Sequence, residues 1–309
     1  MKKIVLLIML ACLSMAFAGD KKKLVPKVYG RINLSYGMED INDADAWKLK
    51  SHSSRFGIKG SYDLTDTLKA VYKMEWGVDV ADVSKASQDH IKSRNQFVGL
   101  AGNFGTIMAG RHDTPTKMAQ GKMDLFNDAE TDIKTLTAGE IRANNVLAYA
   151  SPKLGGSFSF VAAVIPGEGS DLGDGPADVI SANITYNKDG LYAAVARDQD
   201  LGEIDITRLV LLYKVNQWQV GGLYELVTHD EDGSDDHNAF IFNAAFKTGN
   251  TRWKVQYGDS EIKNNLDSLT VGVDYIFNKK AFLYAYYATM EDDLDNEKDY
   301  IKFGGLFKF

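Results

Sequence analysis

The chain is 309 residues long and acidic, with 42 Asp and Glu against 35 Lys and Arg and a formal net charge of −7, which argues against a general nucleic-acid binder. Hydrophobic residues make up 45% of it, yet no run of 18 apolar residues occurs beyond the N-terminal leader, so a helical membrane protein is excluded. Fifteen Tyr, fifteen Phe and 28 Gly against five Pro favour strands and tight turns over helices.

Residues 1–18 read as a cleaved secretory signal peptide. Lys2 and Lys3 supply the positive start, Ile4 to Leu13 a short apolar core, and Ala16-Phe17-Ala18 a small-x-small cleavage site. Cys12 follows Met9-Leu10-Ala11, a poor lipidation box. Cleavage after Ala18 leaves residues 19–309 without a cysteine, and the loss of Lys2 and Lys3 takes the net charge from −7 to −9. Such a chain leaves the cytoplasm and folds without disulfides.

Two-faced segments then recur with a period of two, the signature of strands with one apolar and one wet face. In 27–38, Val28, Ile32, Leu34 and Tyr36 alternate with Tyr29, Arg31, Asn33 and Ser35. In 53–64, Phe56, Ile58, Tyr62 and Leu64 stand against Arg55, Lys59, Ser61 and Asp63. In 69–80, Ala70, Tyr72, Met74 and Trp76 stand against Lys69, Lys73 and Glu75. Short strands follow at 94–101 and 106–111. After a break the rhythm resumes at 144–151, 157–165, 179–187, 191–197, 204–215, 217–227, 239–247, 251–260, 267–277, 281–290 and 300–309. The last strand puts Ile301, Phe303, Phe307 and Phe309 on one face. The total is sixteen, the even count expected of a bacterial barrel built from hairpins.

The connections alternate too. Very short turns (Lys188-Asp189-Gly190, Val215-Asn216-Gln217, Thr248-Gly249-Asn250, Asn278-Lys279-Lys280) interleave with longer acidic loops at 39–45, 166–178, 229–236, 259–267 and 291–299. Short turns at one rim and long loops at the other mark an outer-membrane barrel, and nearly charge-free outward faces fit lipid contact. Tyr36, Trp76, Trp218 and Tyr275 fall at strand ends, where aromatic girdles sit. A secreted β-sandwich would also alternate, but explains neither these aromatics nor sixteen long strands.

Between about 112 and 141 the alternation fails. This segment holds Pro115, Gly121, Gly139 and the acids Asp124, Asp128, Glu130, Asp132 and Glu140. Thirty residues without strand rhythm inside a barrel point to function.

The motifs Val28-Tyr29-Gly30-Arg31, Ser54-Arg55-Phe56-Gly57-Ile58-Lys59-Gly60, Arg94-Asn95-Gln96-Phe97-Val98-Gly99-Leu100, Gly105-Thr106-Ile107-Met108-Ala109-Gly110-Arg111, Val146-Leu147-Ala148-Tyr149-Ala150-Ser151-Pro152 and Phe303-Gly304-Gly305-Leu306-Phe307-Lys308-Phe309 occur in order along the chain. Together they resemble the general, trimeric porins of Gram-negative outer membranes. The resemblance implies an all-β, 16-stranded antiparallel transmembrane barrel over 19–309, with an inward-folded third loop at about 112–141 that narrows a water-filled pore. It implies a homotrimer in the outer membrane, in contact with outer-membrane lipids including lipopolysaccharide, passing ions and small hydrophilic solutes with no cofactor.

In that family, acids on the third loop face a ladder of arginines. The resemblance places Arg55, Arg94 and Arg142 on the ladder. Parity agrees for Arg55, opposite Phe56 and Ile58, and for Arg94, opposite Phe97. Arg31, Lys59 and Lys73 are inward by parity and could join it. The usual acidic loop motif is absent; Met123-Asp124-Leu125-Phe126-Asn127-Asp128 is its counterpart, with Glu130 and Asp132 next. Opposed fixed charges across a narrow passage make a transverse field and bias ion choice. Ala193-Val195, Gly99 and Gly110 read as smooth outward faces for subunit packing.

Other motifs are weaker. His229-Asp230-Glu231-Asp232-Gly233-Ser234-Asp235-Asp236-His237 lacks the ligand spacing of a calcium loop and reads as a solvated acidic tip, with divalent-ion bridging to lipid A phosphates as the minor alternative. The five histidines show no H-E-x-x-H spacing, so no metal site is expected. Ser51-His52-Ser53-Ser54 is the single local Ser/His cluster, and no G-x-S-x-G elbow exists. A surface hydrolase and a structural or adhesive barrel with a closed lumen are the alternatives to a channel.

Overall fold

The computed structural model describes residues 26–82, 91–168, 173–202, 204–229 and 235–309. The leader assigned to residues 1–18 lies outside them. Seventeen strand segments run in chain order among the described residues: β1 (Lys27–Ile41), β2 (Ala44–Ser51), β3 (Arg55–Asp63), β4 (Leu68–Val78), β5 (Ile91–Gly102), β6 (Gly105–Asp113), β7 (Arg142–Ala150), β8 (Phe158–Ile165) and β9 (Val179–Lys188), then β10 (Leu191–Gln199), β11 (Ile204–Val215), β12 (Trp218–His229), β13 (His237–Thr248), β14 (Thr251–Ser260), β15 (Leu266–Asn278), β16 (Ala281–Glu291) and β17 (Glu297–Lys308). The single α-helix among the described residues is the short α1 (Pro115–Ala119).

Seventeen segments make sixteen staves. β1 pairs with β2 through Leu34↔Ser51 and with β3 through Arg31↔Arg55, so β2 and β3 are one stave broken at His52–Ser54. His52 N still donates to Asn33 O (2.9 Å), and Ser53 takes a left-handed φ of 48° to carry the break. Every neighbouring pair is antiparallel. β17 pairs with β1 over Arg31↔Lys308 to Ile41↔Lys298, which closes the sheet. Phe309 N bonds Gly30 O (3.0 Å) and Gly30 N bonds Phe309 O (3.2 Å), so even the last residue joins the ladder. Closure satisfies the backbone polar groups of both edge strands, which a hydrocarbon environment requires.

The burial pattern is inside-out for a water-soluble protein. On β14, Trp253, Val255 and Tyr257 are exposed while Gln256 between them is buried. On β11, Leu209, Leu211 and Tyr213 are exposed while Arg208 is fully buried. Lys302 on β17 is likewise fully buried, against the exposed Ile301 and Phe303. Tyr36, Trp218 and Tyr275 lie exposed on the outside. Leu211→Arg, on this outward face, is therefore expected to lower stability in a bilayer by about 2–4 kcal/mol, read from denaturant titration in lipid vesicles.

Some expectations are corrected. The stretch 39–45 is not a long loop: β1 and β2 run on to a two-residue turn at Asn42-Asp43, both left-handed at φ 53° and 63°, the geometry that fits strand twist. Gly99 and Gly110 do not face outward. Gly99 alternates with the exposed Val98 and Leu100, and Gly110 follows the exposed Ala109, so both lie on the lumen side. Ala193 and Val195 do face outward, since Ala194 and Tyr192 between and beside them pack inside.

Candidate channel constriction

The 114–141 segment after β6 folds back against the inner surface of the far wall. Thr114 caps α1 by accepting from Lys117 N (3.2 Å), and Pro115 at the first helical position needs no partner for a missing N–H. Two apolar patches seat the loop. Ala119, Met123, Ile133 and Leu136 meet Ala194, Val210, Leu223 and Ile241 of the wall. Leu125 and Phe126 meet Ala245, Tyr286, Ala288 and Met290. Each large side chain so buried stabilises the docked loop by about 1.5–3 kcal/mol.

Wall side chains then satisfy the loop backbone. Asn183 Nδ2 donates to Pro115 O (2.6 Å), Tyr192 OH to Ala119 O (2.8 Å), Asn243 Nδ2 to Met123 O (2.7 Å) and Lys254 Nζ to Leu125 O (3.0 Å). Glu225 Oε1 accepts from Ala138 N (2.6 Å) and Gly139 N (3.1 Å). Its other oxygen takes Arg208 Nε at 2.7 Å, and Arg208 also reaches Glu140 of the loop at 2.7 Å. Arg208 and Glu225 are both fully buried, so each relies on the other.

The loop thus occupies the β8–β17 side and leaves the β1–β7 side facing it across the lumen. There the structure places Arg31, Arg55, Arg94 and Arg142 on β1, β3, β5 and β7. Arg31 pairs with Asp128 of the loop and donates to Ser53 O (3.3 Å). Asp128 sits at a left-handed φ of 69°. Burial pushes its carboxyl up, but the Arg31 and Arg55 guanidiniums outweigh this and hold it below the ordinary range. Arg55 lies within electrostatic reach of Arg31, Arg94, Asp128 and Glu75. Arg94 Nε bonds Glu75 Oε1 at 2.8 Å, Lys73 Nζ lies 3.4 Å from Glu75 Oε2, and Tyr29 OH donates to the same oxygen at 2.9 Å. Lys59 stands over the Tyr29 ring, 4.9 Å from its centre. Arg142 pairs with Asp113 at 2.9 Å.

Arg94 faces inward for a reason that parity missed. Phe97 is itself inward, packed on His112, while Val98 and Leu100 are outside. Simple alternation would turn Arg94 toward lipid. Instead Met74 pairs with Gln96 and Trp76 with Ser93, so Arg94 and Asn95 together stand opposite Glu75. This β-bulge turns both side chains to the lumen.

Of the four loop acids expected at the constriction, Asp128 is the one that pairs with an arginine of that wall. Glu130 sits at the seam between the two sides, bonded by Tyr286 OH of β16, 3.9 Å from Lys302 of β17, and 3.8 and 3.9 Å from Lys50 and His52 of the β2–β3 stave. Asp132 caps a 3₁₀ turn, accepting from Lys134 N (2.9 Å) and Asp128 N (2.6 Å). Asp124 accepts from Phe126 N (2.9 Å), Ile133 N (3.2 Å) and Gln256 Nε2 (3.2 Å). Burial, helped by the Asp132 carboxylate, pushes Asp124 up to about 7 despite those bonds. The folded chain therefore keeps a proton that an ordinary carboxyl loses near 3.8. Stability is fullest below that value and falls as pH rises toward 7, each unit of displacement being worth about 1.4 kcal/mol. Asp124→Asn is expected to flatten this dependence, read as denaturation midpoints at pH 5 and pH 8.

Ser35 Oγ and His52 Nε2 lie 2.6 Å apart, but both residues are buried. Glu130 approaches that same ring nitrogen rather than the other one, so the three do not form a catalytic triad.

The family described as Gram-negative porin matches residues 5–295. The chain belongs to that family. Among relatives of this porin, outer membrane porin protein 32 of Delftia acidovorans is 26% identical over 264 residues, covering 78% of this chain and 75% of the relative. Major outer membrane protein P.IB of Neisseria gonorrhoeae is 25% identical over 330 residues, covering 91% of each. Among solved structures, the anion-selective porin from Comamonas acidovorans superimposes with a TM-score of 0.77 at 21% identity, over 93% of this chain and all of that one. OmpF of Salmonella typhi in complex with daunomycin gives 0.74 at 15%, over 96% and 100%. This porin is a passive diffusion channel of the outer membrane and not an enzyme.

Proposed function

We propose that solutes cross this porin through a charge-polarised constriction between the 114–141 loop and the β1–β7 wall, and that it favours small anions. The observation that carries this is the cation excess there. Arg31, Arg55, Arg94, Arg142, Lys50, Lys59 and Lys73 face a passage to which the loop contributes Asp128 and Glu130, and to which the wall itself adds Glu75 and Asp113. A low-dielectric passage lined with excess positive charge concentrates anions and repels cations. The relative described as an anion-selective porin supports the same preference. The working unit is a homotrimer, with the apolar outer belt facing neighbouring subunits and outer-membrane lipids, lipopolysaccharide among them.

Single-channel recording of the refolded mature chain in a planar bilayer under a salt gradient tests this reading. Conductance steps in threes and a reversal potential on the chloride side are expected. A reversal potential on the potassium side would overturn the anion preference. Silence from a correctly inserted barrel would move the assignment to the closed structural barrel.

A further inference from the structure

The strand ends bring together two side chains that lie eight positions apart in sequence. His229 is the last residue of β12 and His237 the first of β13. Val227 pairs with His237 across the hairpin, so His229, two residues on, presents the same face. Val227 is buried on the lumen side, which turns both rings toward the channel mouth at the rim that carries the long loops. Their ring centres stand 5.7 Å apart with the planes at 77°.

We propose that His229 and His237 form a two-histidine site for a divalent transition-metal cation at the outer mouth of the channel. A metal held at about 2.1 Å by one nitrogen of each imidazole places the two ring centres roughly 5–6 Å apart for tetrahedral or slightly wider angles. The rings already stand at that spacing, so the site needs no rearrangement of the strands. His229 is exposed and His237 half-buried, so a hydrated cation can reach them from the mouth.

The local charge favours a cation. Asp235 and Asp236 directly precede His237, and Glu261 approaches from the next hairpin, accepting from Asn238 N at 3.1 Å. Acids in a cleft raise the local concentration of divalent ions, while the imidazoles choose among them. Neutral ring nitrogens suit Cu²⁺, Zn²⁺ and Ni²⁺, whereas Ca²⁺ and Mg²⁺ want oxygen ligands. Among the described residues no third His, Cys, Asp or Glu joins a metal-holding group. Water completes the coordination, which makes the site exchangeable rather than structural. A search for helical spacing such as H-E-x-x-H misses such a pair, because the hairpin register and not the local sequence brings it together.

The test is titration of tag-free, detergent-folded porin with Cu²⁺, the divalent ion that imidazole sites hold most tightly, followed by electron paramagnetic resonance. One tightly held copper per chain with hyperfine splitting from two nitrogens is expected. His229→Gln and His237→Gln should each lose the two-nitrogen signal, while His112→Gln, whose ring packs on Phe97, keeps it. Unchanged gel mobility of the folded barrel establishes that the variants fold. Absent binding, oxygen-only coordination, or a two-nitrogen signal that survives in the double variant would each overturn the proposal.

Discussion

Replacing Arg55 and Arg94 together by alanine is expected to move the reversal potential toward the cation side. Both guanidiniums face the loop across the lumen, and Arg94 bonds Glu75 at 2.8 Å. Deleting it removes a positive charge and unmasks part of a carboxylate that retains Lys73 at 3.4 Å and Tyr29 at 2.9 Å. A unit charge about 8 Å from a passing ion is worth roughly 0.5–2 kcal/mol between bulk-like and protein-like dielectric. Two such changes acting in the same direction alter relative permeability about tenfold, since 1.4 kcal/mol is a factor of ten. Lys153→Ala, on an exposed turn at the opposite rim from the long loops, should leave the potential where it is. A reversal potential unmoved in the double variant would remove both arginines from the ion path.

Glu225→Ala is expected to free the loop without dissolving the barrel. Glu225 holds the Ala138 and Gly139 amides and neutralises Arg208 inside the wall. Its removal leaves a fully buried guanidinium with Glu140 at 2.7 Å and the Thr116 carbonyl at 3.3 Å. Breaking a buried pair from one side costs about 3–5 kcal/mol. The stave ladder does not depend on that pair, so the loss falls on loop docking. Open-channel noise should rise and the melting temperature should drop, while strand content by circular dichroism stays. Glu225→Gln, which keeps an acceptor for the two amides, should fall between the two. Quiet channels with an unchanged melting temperature in the alanine variant would show that the apolar patches around Met123 and Phe126 hold the loop by themselves.

Most of the barrel is legible as alternation, because lipid and lumen demand opposite side chains on the same strand. The break in rhythm after His112 likewise locates the loop to within two residues of its observed start and at its observed end. What escapes is where backbone geometry departs from period two. Arg94 is inward through a bulge, and a rule of alternation has no term for it. The turn at Asn42-Asp43 looked like part of an acidic loop, although Asn and Asp tolerate the left-handed conformation that a two-residue hairpin uses. The loop acids differ for another reason. A carboxylate in an irregular segment can cap a turn, as Asp132 does, or bridge two parts of the wall, as Glu130 does between Tyr286 and Lys50, and composition does not separate these fates. The Arg208–Glu225 pair was within reach. A two-residue turn at Asn216-Gln217 sets Val215 opposite Trp218, and counting outward puts Arg208 opposite Glu225.

The reciprocal bonds between Gly30 and Phe309 also bear on how the molecule is made. They join segments from opposite ends of the sequence, so the contact that seals the sheet has nearly the largest separation the chain allows. Contacts of this kind are slow to form, because loop-closure entropy is lost before the pairing can compensate. Until β17 meets β1, both strands present open rows of N–H and C=O groups, the template on which sheets aggregate. Assembly is therefore all-or-none at its final step. A chain stopped one strand early is not a smaller pore but an open sheet with two reactive edges.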